Sequence, residues 1–149
     1  MLLRWLLAAV HLLGLGIGLG AVWTRARLLG AATLDPTTVR RAVTADAWWA
    51  VAAFLWIGSG LWRLFGATEK TTAYYLGNHI FWSKMALLVL ILLLELRPIV
   101  VVGAWRRQLA RRVPLDLRAA PAIARTSHIQ AVLVVLMVLA ATAMARGLG

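Results

Sequence analysis

The sequence predicts an all-α fold, a four-helix transmembrane bundle with both termini on the outer side, and three observations carry that reading. Of its 149 residues 62% are hydrophobic and only 14% charged, too little polar surface to cover a water-soluble globule. The apolar residues gather in four runs of membrane-crossing length without strand-like alternation, and backbone in hydrocarbon must satisfy its own hydrogen bonds, which a helix does within one segment. The basic residues, 16 Lys and Arg against 5 Asp and Glu, fall mostly between those runs. A charge of +11 in a soluble chain would suggest nucleic acid; here it is a topology signal, and no nucleic-acid partner is expected. The chain reads as a single transmembrane domain over 1–149 whose first partner is the lipid bilayer. With no cysteine it has no disulfide, thiolate metal site, cysteine nucleophile or covalent c-type haem attachment.

The first helix, about 3–24, lies largely between Arg4 and Arg25, and His11 is the ionisable residue inside it. Twenty residues at about 1.5 Å each cross a hydrocarbon core of about 30 Å. Its length and the lack of a small-x-small cleavage pattern make it a span and not a removed signal peptide. The second helix, about 47–65, is bounded by Asp46 and Arg63; ahead of it, in DPTTVRRAVTAD, Pro36 with Thr37 or Thr38 is placed to open a helix whose Arg40 and Arg41 stay in water. The third runs from about 78 to 104 and the fourth from about 128 to 145.

Charge in the connections sets the orientation. Arg25, Arg27, Arg40 and Arg41 mark the first, Lys70 with Arg63 at its edge the second, and Arg106, Arg107, Arg111, Arg112, Arg118 and Arg125 the third. The first and third are therefore cytoplasmic, and the TEKTTAYY loop is outside with Tyr74 and Tyr75 at interfacial depth. The third connection, with Pro114 and Pro121, is either an amphipathic stretch lying on the anionic inner leaflet or simply a solvated face.

Chemistry is carried by the polar groups that a span should not contain: His11, Lys84 and Glu95. An ionisable group at membrane depth costs about 2.5 kcal/mol or more, so it faces the bundle interior with a partner or a function. His11 is followed by alternating Gly14, Gly16, Gly18 and Gly20, two overlapping small-xxx-small patterns that admit another helix or a flat ligand. At 100° per residue Arg4, His11, Gly14, Gly18 and Arg25 share one stripe, so the imidazole stands over a bared face where a porphyrin ring has room. The alternative is an interhelical hydrogen-bonding histidine above a glycine packing face.

Lys84 lies in the outer half of the third span, at roughly the depth of His11. It either pairs with a propionate or an anionic substrate, serves as a desolvated base or ligand, or snorkels outwards. Glu95 returns to the same angular position about 16 Å along the axis, too far to pair with Lys84, and next to Arg97 and Pro98 it reads as a structural ion pair with Arg25, Arg27 or Arg106. On the second helix Trp49, Trp56, Gly60 and Arg63 form one stripe. Trp56 is mid-membrane, either core packing or an aromatic wall for a planar ligand. His79 and His128 lie at opposite membrane faces and share no metal. Nor do Met1, Met85, Met137 and Met144 show convincing His/Met ligand spacing along the chain.

Over its whole length, through GLWR at Gly60–Arg63, the Tyr74–Tyr75 pair, FWSK at Phe81–Lys84, ELRP at Glu95–Pro98 and MARG at Met144–Gly147, the chain resembles the bacterial membrane family known as domain of unknown function 2214. That resemblance implies a multi-pass protein of the bacterial inner membrane. More distantly, and over two helices, RWLLAAVHLLGLGIGLGAVWTRARLL and FWSKMALLVLILLL are similar to HemJ-type protoporphyrinogen oxidases, small four-helix haem-binding membrane proteins. This likeness implies His11 as axial ligand of a haem b and Lys84 as the essential lysine. The leading expectation is thus a b-type haem protein in membrane redox or porphyrin chemistry, with oxidoreductase activity as the reaction class that the likeness implies, His11 on iron, and Gly14, Gly18, Trp56, Arg63, Lys84 and Trp82 around it. The alternatives are a cofactor-free accessory subunit of a larger membrane complex or a homo-oligomer packed through its glycine faces, and a small transporter.

Overall fold

The computed structural model describes residues 1–66 and 71–147, so Lys70 of the expected outer loop lies outside the described residues. Among the described residues five helices follow one another: α1 (Leu2–Leu29), α2 (Pro36–Phe65), α3 (Thr72–Gly77), α4 (His79–Arg111) and α5 (Ala120–Ala145). Four of them, all but α3, are long and apolar enough to cross a membrane. The protein is an integral membrane helical bundle. Around the bundle the order is α1, α2, α4, α5, with α1 packed on α2 and α5, α4 packed on α5 and more lightly on α2, and α1 diagonal to α4.

The helices outrun the apolar runs that announce them. The separate helix expected at Pro36 is the first part of α2 itself: Asp35 accepts the Thr38 amide at 2.6 Å, Pro36 fills the first turn, and the chain stays helical into the span. The basic third connection is mostly helix too, divided between α4 as far as Arg111 and α5 from Ala120, which carries Pro121 in its first turn. Only 112–119 link them. Arg112 in the left-handed region ends α4, and Trp105 donates its indole N–H to the Asp116 carbonyl at 2.7 Å, folding the link back on α4. At the opposite end Thr71 caps α3, and Asn78 closes it while capping α4 through the Phe81 amide.

The core comes in two apolar blocks. One, toward the end that holds the chain termini, includes Val22, Trp49, Trp56, Ile91, Val134 and Met137. The other, toward the basic end, includes Leu29, Val39, Val102, Trp105 and Ile123. Between them on every spanning helix sits a polar residue: Arg25, Asp46, Glu95, and Ser127 with Gln130. Arg25, which the hydropathy pattern makes the edge of the first span, is 0% exposed in the middle of the bundle.

Candidate functional site

The polar layer is a closed network. The Arg25 guanidinium donates from Nε to Ser127 (2.9 Å), from Nη1 to Asp46 (2.6 Å) and Glu95 (2.8 Å), and from Nη2 to Glu95 (2.9 Å) and Gln130 (2.8 Å). That engages all of its N–H groups in the fork geometry that suits carboxylates. Gln130 in turn donates to Glu95 at 2.7 Å and to the Ile91 carbonyl at 3.2 Å, and Ser127 donates to the Ile123 carbonyl. Glu95 is therefore in the ion pair expected of it, with Arg25 as the partner. Sequence reasoning placed Asp46 only as a boundary and did not find Ser127 or Gln130 as members. The available signal was their shared depth, one polar position per helix between apolar blocks.

Nearer the terminal end, a second polar cluster surrounds a cavity. Its volume is about 130 Å³, and His11, Trp56, Gly60, Arg63, Lys84 and Tyr75 are among its lining residues, with Met85, Met137 and Met144. Helix phase explains the set: α4 turns Phe81, Lys84, Met85 and Leu88 inward at intervals of three and four. From α2 come Trp56, Gly60 and Arg63, the stripe seen in the sequence. His11 Nδ1 lies 3.1 Å from the Trp56 carbonyl oxygen and 3.0 Å from Ser59 Oγ. A carbonyl oxygen only accepts, so a proton on Nδ1 would satisfy the Trp56 contact and leave the lone pair on Nε2, whereas the Ser59 hydroxyl can serve either tautomer. A Cβ at Gly60 would sit 3.2 Å from His11 Cε1, so glycine there is what lets the ring lie against α2.

Two expected site features are corrected. The face carrying Gly14 and Gly18 is taken up by α2: a Cβ at Gly14 would meet the Trp56 backbone nitrogen at 3.1 Å, and one at Gly18 would meet Ala52 and Trp49 at 3.3 Å. A flat ring does not lie there, because helix packing already uses that space. Trp82 is 54% exposed and donates to the Leu76 carbonyl at 2.9 Å, on the side of α4 turned away from the cavity. One residue past Phe81, it falls about 100° off the inward stripe. His79 is exposed, and His128 packs edge-on against Trp23 at the level of the Arg25 layer, so neither lines the cavity with His11.

The cavity does not end at His11. A second one of about 260 Å³ between α2 and α4 shares Trp56, Ile57 and Leu88 with it and runs toward Asp46 and Glu95. The two form a seam along the lightly packed α2–α4 side. The cavity at His11 is smaller than the roughly 300–1,000 Å³ of a site that encloses its ligand. The lining has the side-chain types that a haem uses: an imidazole held by hydrogen bonds, two basic side chains for acidic substituents, and aromatic and thioether walls. Among the described residues no three His, Asp or Glu side chains come together as a metal cage.

No curated protein and no solved structure matches the chain. A family model described as a predicted membrane protein, DUF2214, matches residues 3–149, and with that match over nearly its whole length the chain belongs to this family.

Proposed function

We propose that this protein is a b-type haem protein of the bacterial cytoplasmic membrane with a redox or porphyrin-related role. The observation that carries the reading is the Nδ1 contact of His11 with the Trp56 carbonyl, inside a pocket that also gathers Arg63 and Lys84. Histidines that bind metals commonly donate their other ring N–H to a carbonyl or carboxylate, which sets the tautomer and raises ligand basicity. His11 would hold the iron, Trp56 and Ser59 would orient the imidazole, and Arg63 and Lys84 would neutralise the propionates. Trp56, Phe81 and Leu88 would keep water away. Bound there, haem supplies one-electron exchange at iron, tuned by its axial ligand and burial. Lys84, close to such a centre, is also the side chain suited to hold an acidic substrate or pass a proton.

The basic end carries Arg40, Arg41, Arg106, Arg107, Arg111 and Arg112, so the positive-inside rule turns it to the cytoplasm and the pocket to the outer half. Gly16 and Gly20 face outward with nothing within 4 Å of a Cβ, a second small-residue face that favours association with another helix, in a homo-oligomer or a larger complex. This face serves a haem protein and a cofactor-free subunit equally.

Protein purified in mild detergent from haem-sufficient cells should show a Soret band and a reduced-minus-oxidised α-band, extractable with acid acetone because no cysteine holds the haem. His11→Ala should abolish both bands, and His79→Ala and His128→Ala should leave them. A colourless preparation, or a spectrum unchanged by His11→Ala, would overturn the haem reading. A reporter fused at Gly149 should behave as periplasmic; cytoplasmic activity would reverse the orientation.

A further inference from the structure

Arg97 is a cation at membrane depth that makes no hydrogen bond or ion pair with any described residue. Counting from His79 at the start of α4, it stands about 27 Å along the axis at about 1.5 Å per residue, near the inner edge of a hydrocarbon core about 30 Å thick. It is exposed. Leu93, Leu96 and Val100 beside it are exposed as well, and on a spanning helix such an apolar face is turned to lipid. Arg25, at nearly the same depth, finds its acceptors inside the bundle, whereas a guanidinium that faces lipid here is costly unless the lipid itself brings the acceptor.

From Arg97 a groove runs along α4 toward the basic end. Val101, Ala104 and Gln108 line it at helical spacing from Arg97, and the α4–α5 link closes its other side with Asp116 and Arg118, held to the helix by the hydrogen bond from Trp105 to the Asp116 carbonyl. Its two cations differ. Arg118 is paired with Asp116 at 2.7 Å, whereas Arg97 keeps its donors for what enters the groove. Gln108 adds a side-chain oxygen that accepts no hydrogen bond from the described residues, the complement of a headgroup hydroxyl or amine.

We propose that this groove binds one anionic phospholipid of the inner leaflet, with its phosphate on Arg97, its headgroup between the link and α4, and its acyl chains against Leu93, Leu96 and Val100. A guanidinium takes phosphate oxygens in a bidentate fork, and the cytoplasmic leaflet is where anionic headgroups meet basic residues. A zwitterionic lipid fits less well, because the one carboxylate of the groove is already held by Arg118. The depth selects a lipid over a soluble phosphate, since Arg97 stands where acyl chains meet headgroups. This site is separate from the His11 cavity and does not depend on what that cavity holds.

Native mass spectrometry of the full chain in dodecyl maltoside, with added dioleoylphosphatidylglycerol or dioleoylphosphatidylcholine, tests the site. The wild-type protein should retain one phosphatidylglycerol more tightly than any phosphatidylcholine. Arg97→Gln should weaken that retention about tenfold, the loss of a charged hydrogen-bonded pair. Arg107→Gln removes the same charge from an exposed residue of α4 outside the groove and should change retention far less. Ala104→Phe keeps Arg97 but fills the groove floor, so it should weaken retention too. Arg97→Lys, which keeps the charge and loses the fork, should fall between wild type and Arg97→Gln and covers the case in which another variant fails to fold. Equal losses in Arg97→Gln and Arg107→Gln would show diffuse attraction to the basic end, equal retention of the two lipids would show no headgroup preference, and displacement of the lipid by free glycerol phosphate would show a soluble ligand. Each of these results overturns the proposal.

Discussion

The layer around Arg25 and the pocket around His11 sit one above the other in the same bundle, are built from the same four spanning helices, and solve the cost of membrane polarity in opposite ways. In the layer, each donor of the guanidinium meets an acceptor on another helix, and the groups fill the space between the two apolar blocks. In the pocket, His11, Arg63 and Lys84 stand around a cavity of about 130 Å³. A closed network rigidifies and registers the helices; polar groups grouped around a space are the arrangement of a binding site. The difference teaches that depth and charge alone do not separate structure from function in a span. What separates them here is whether the polar groups fill the space between the helices or line a cavity.

Removing Arg25 should break the comparison hardest. Arg25→Met strands Asp46 and Glu95 in the bundle, and uncompensated buried charge costs about 3–5 kcal/mol. The variant should unfold at much lower temperature in detergent or fail to accumulate, and adding Asp46→Asn with Glu95→Gln should recover a large part of the loss. A stable Arg25→Met protein would mean that the layer is not the keystone.

The glycines come next. Gly14→Ala puts a methyl group 3.1 Å from backbone that cannot move aside cheaply, and overpacking of this kind costs about 1–3 kcal/mol. Gly16→Ala, on open space two residues away, should leave thermal stability unchanged or slightly raised, because alanine is the better helix former. Equal effects at the two positions would show that α1 and α2 do not pack through this face. His11→Ala should be milder for the fold, since a typical hydrogen bond contributes about 0.5–1.5 kcal/mol, and it should act on the haem spectrum far more than on the melting temperature.

The smallest effect is expected on the basic end. Side-chain hydrogen bonds from Arg118 lower the Asp116 carboxyl to about 2, below its usual value, and any stability this adds is present above the unfolded pKa of about 3.9 and lost as pH falls through about 2. Both groups are exposed, so solvent screens the pair. Asp116→Asn should leave the melting temperature within error at neutral pH, while the Trp105 contact to the Asp116 carbonyl, which needs only backbone, persists.

Much of the fold was legible because hydropathy in a membrane is a local property: an apolar run longer than the hydrocarbon core is a span whatever surrounds it. Helix ends were less legible. Arg40, Arg41 and Arg106 to Arg111 read as connections by charge, yet helix continues through them, because hydrogen bonding within a helix does not stop where lipid does. Of the site, the His11 and Trp56–Gly60–Arg63 stripes were readable from 100° periodicity, whereas Lys84 was left between a partnered and an outward-snorkelling position until the fold put it in the cavity lining. Trp82 was misplaced because proximity in sequence to Lys84 is not a shared face.

The sequence by itself determined four helical spans, their number of crossings, the basic end, and the few polar residues that must have partners inside. Only the tertiary structure decided which partner each would have: that Arg25 takes Asp46, Glu95 and Gln130, that α2 occupies the Gly14 and Gly18 face, and that Met85, Met137 and His11 surround one space. The physical reason is that burial in lipid depends on each segment's own composition, whereas pairing across helices depends on their relative rotation, depth and neighbour order. Those quantities are set by packing over the whole bundle and leave no periodic trace in any one helix.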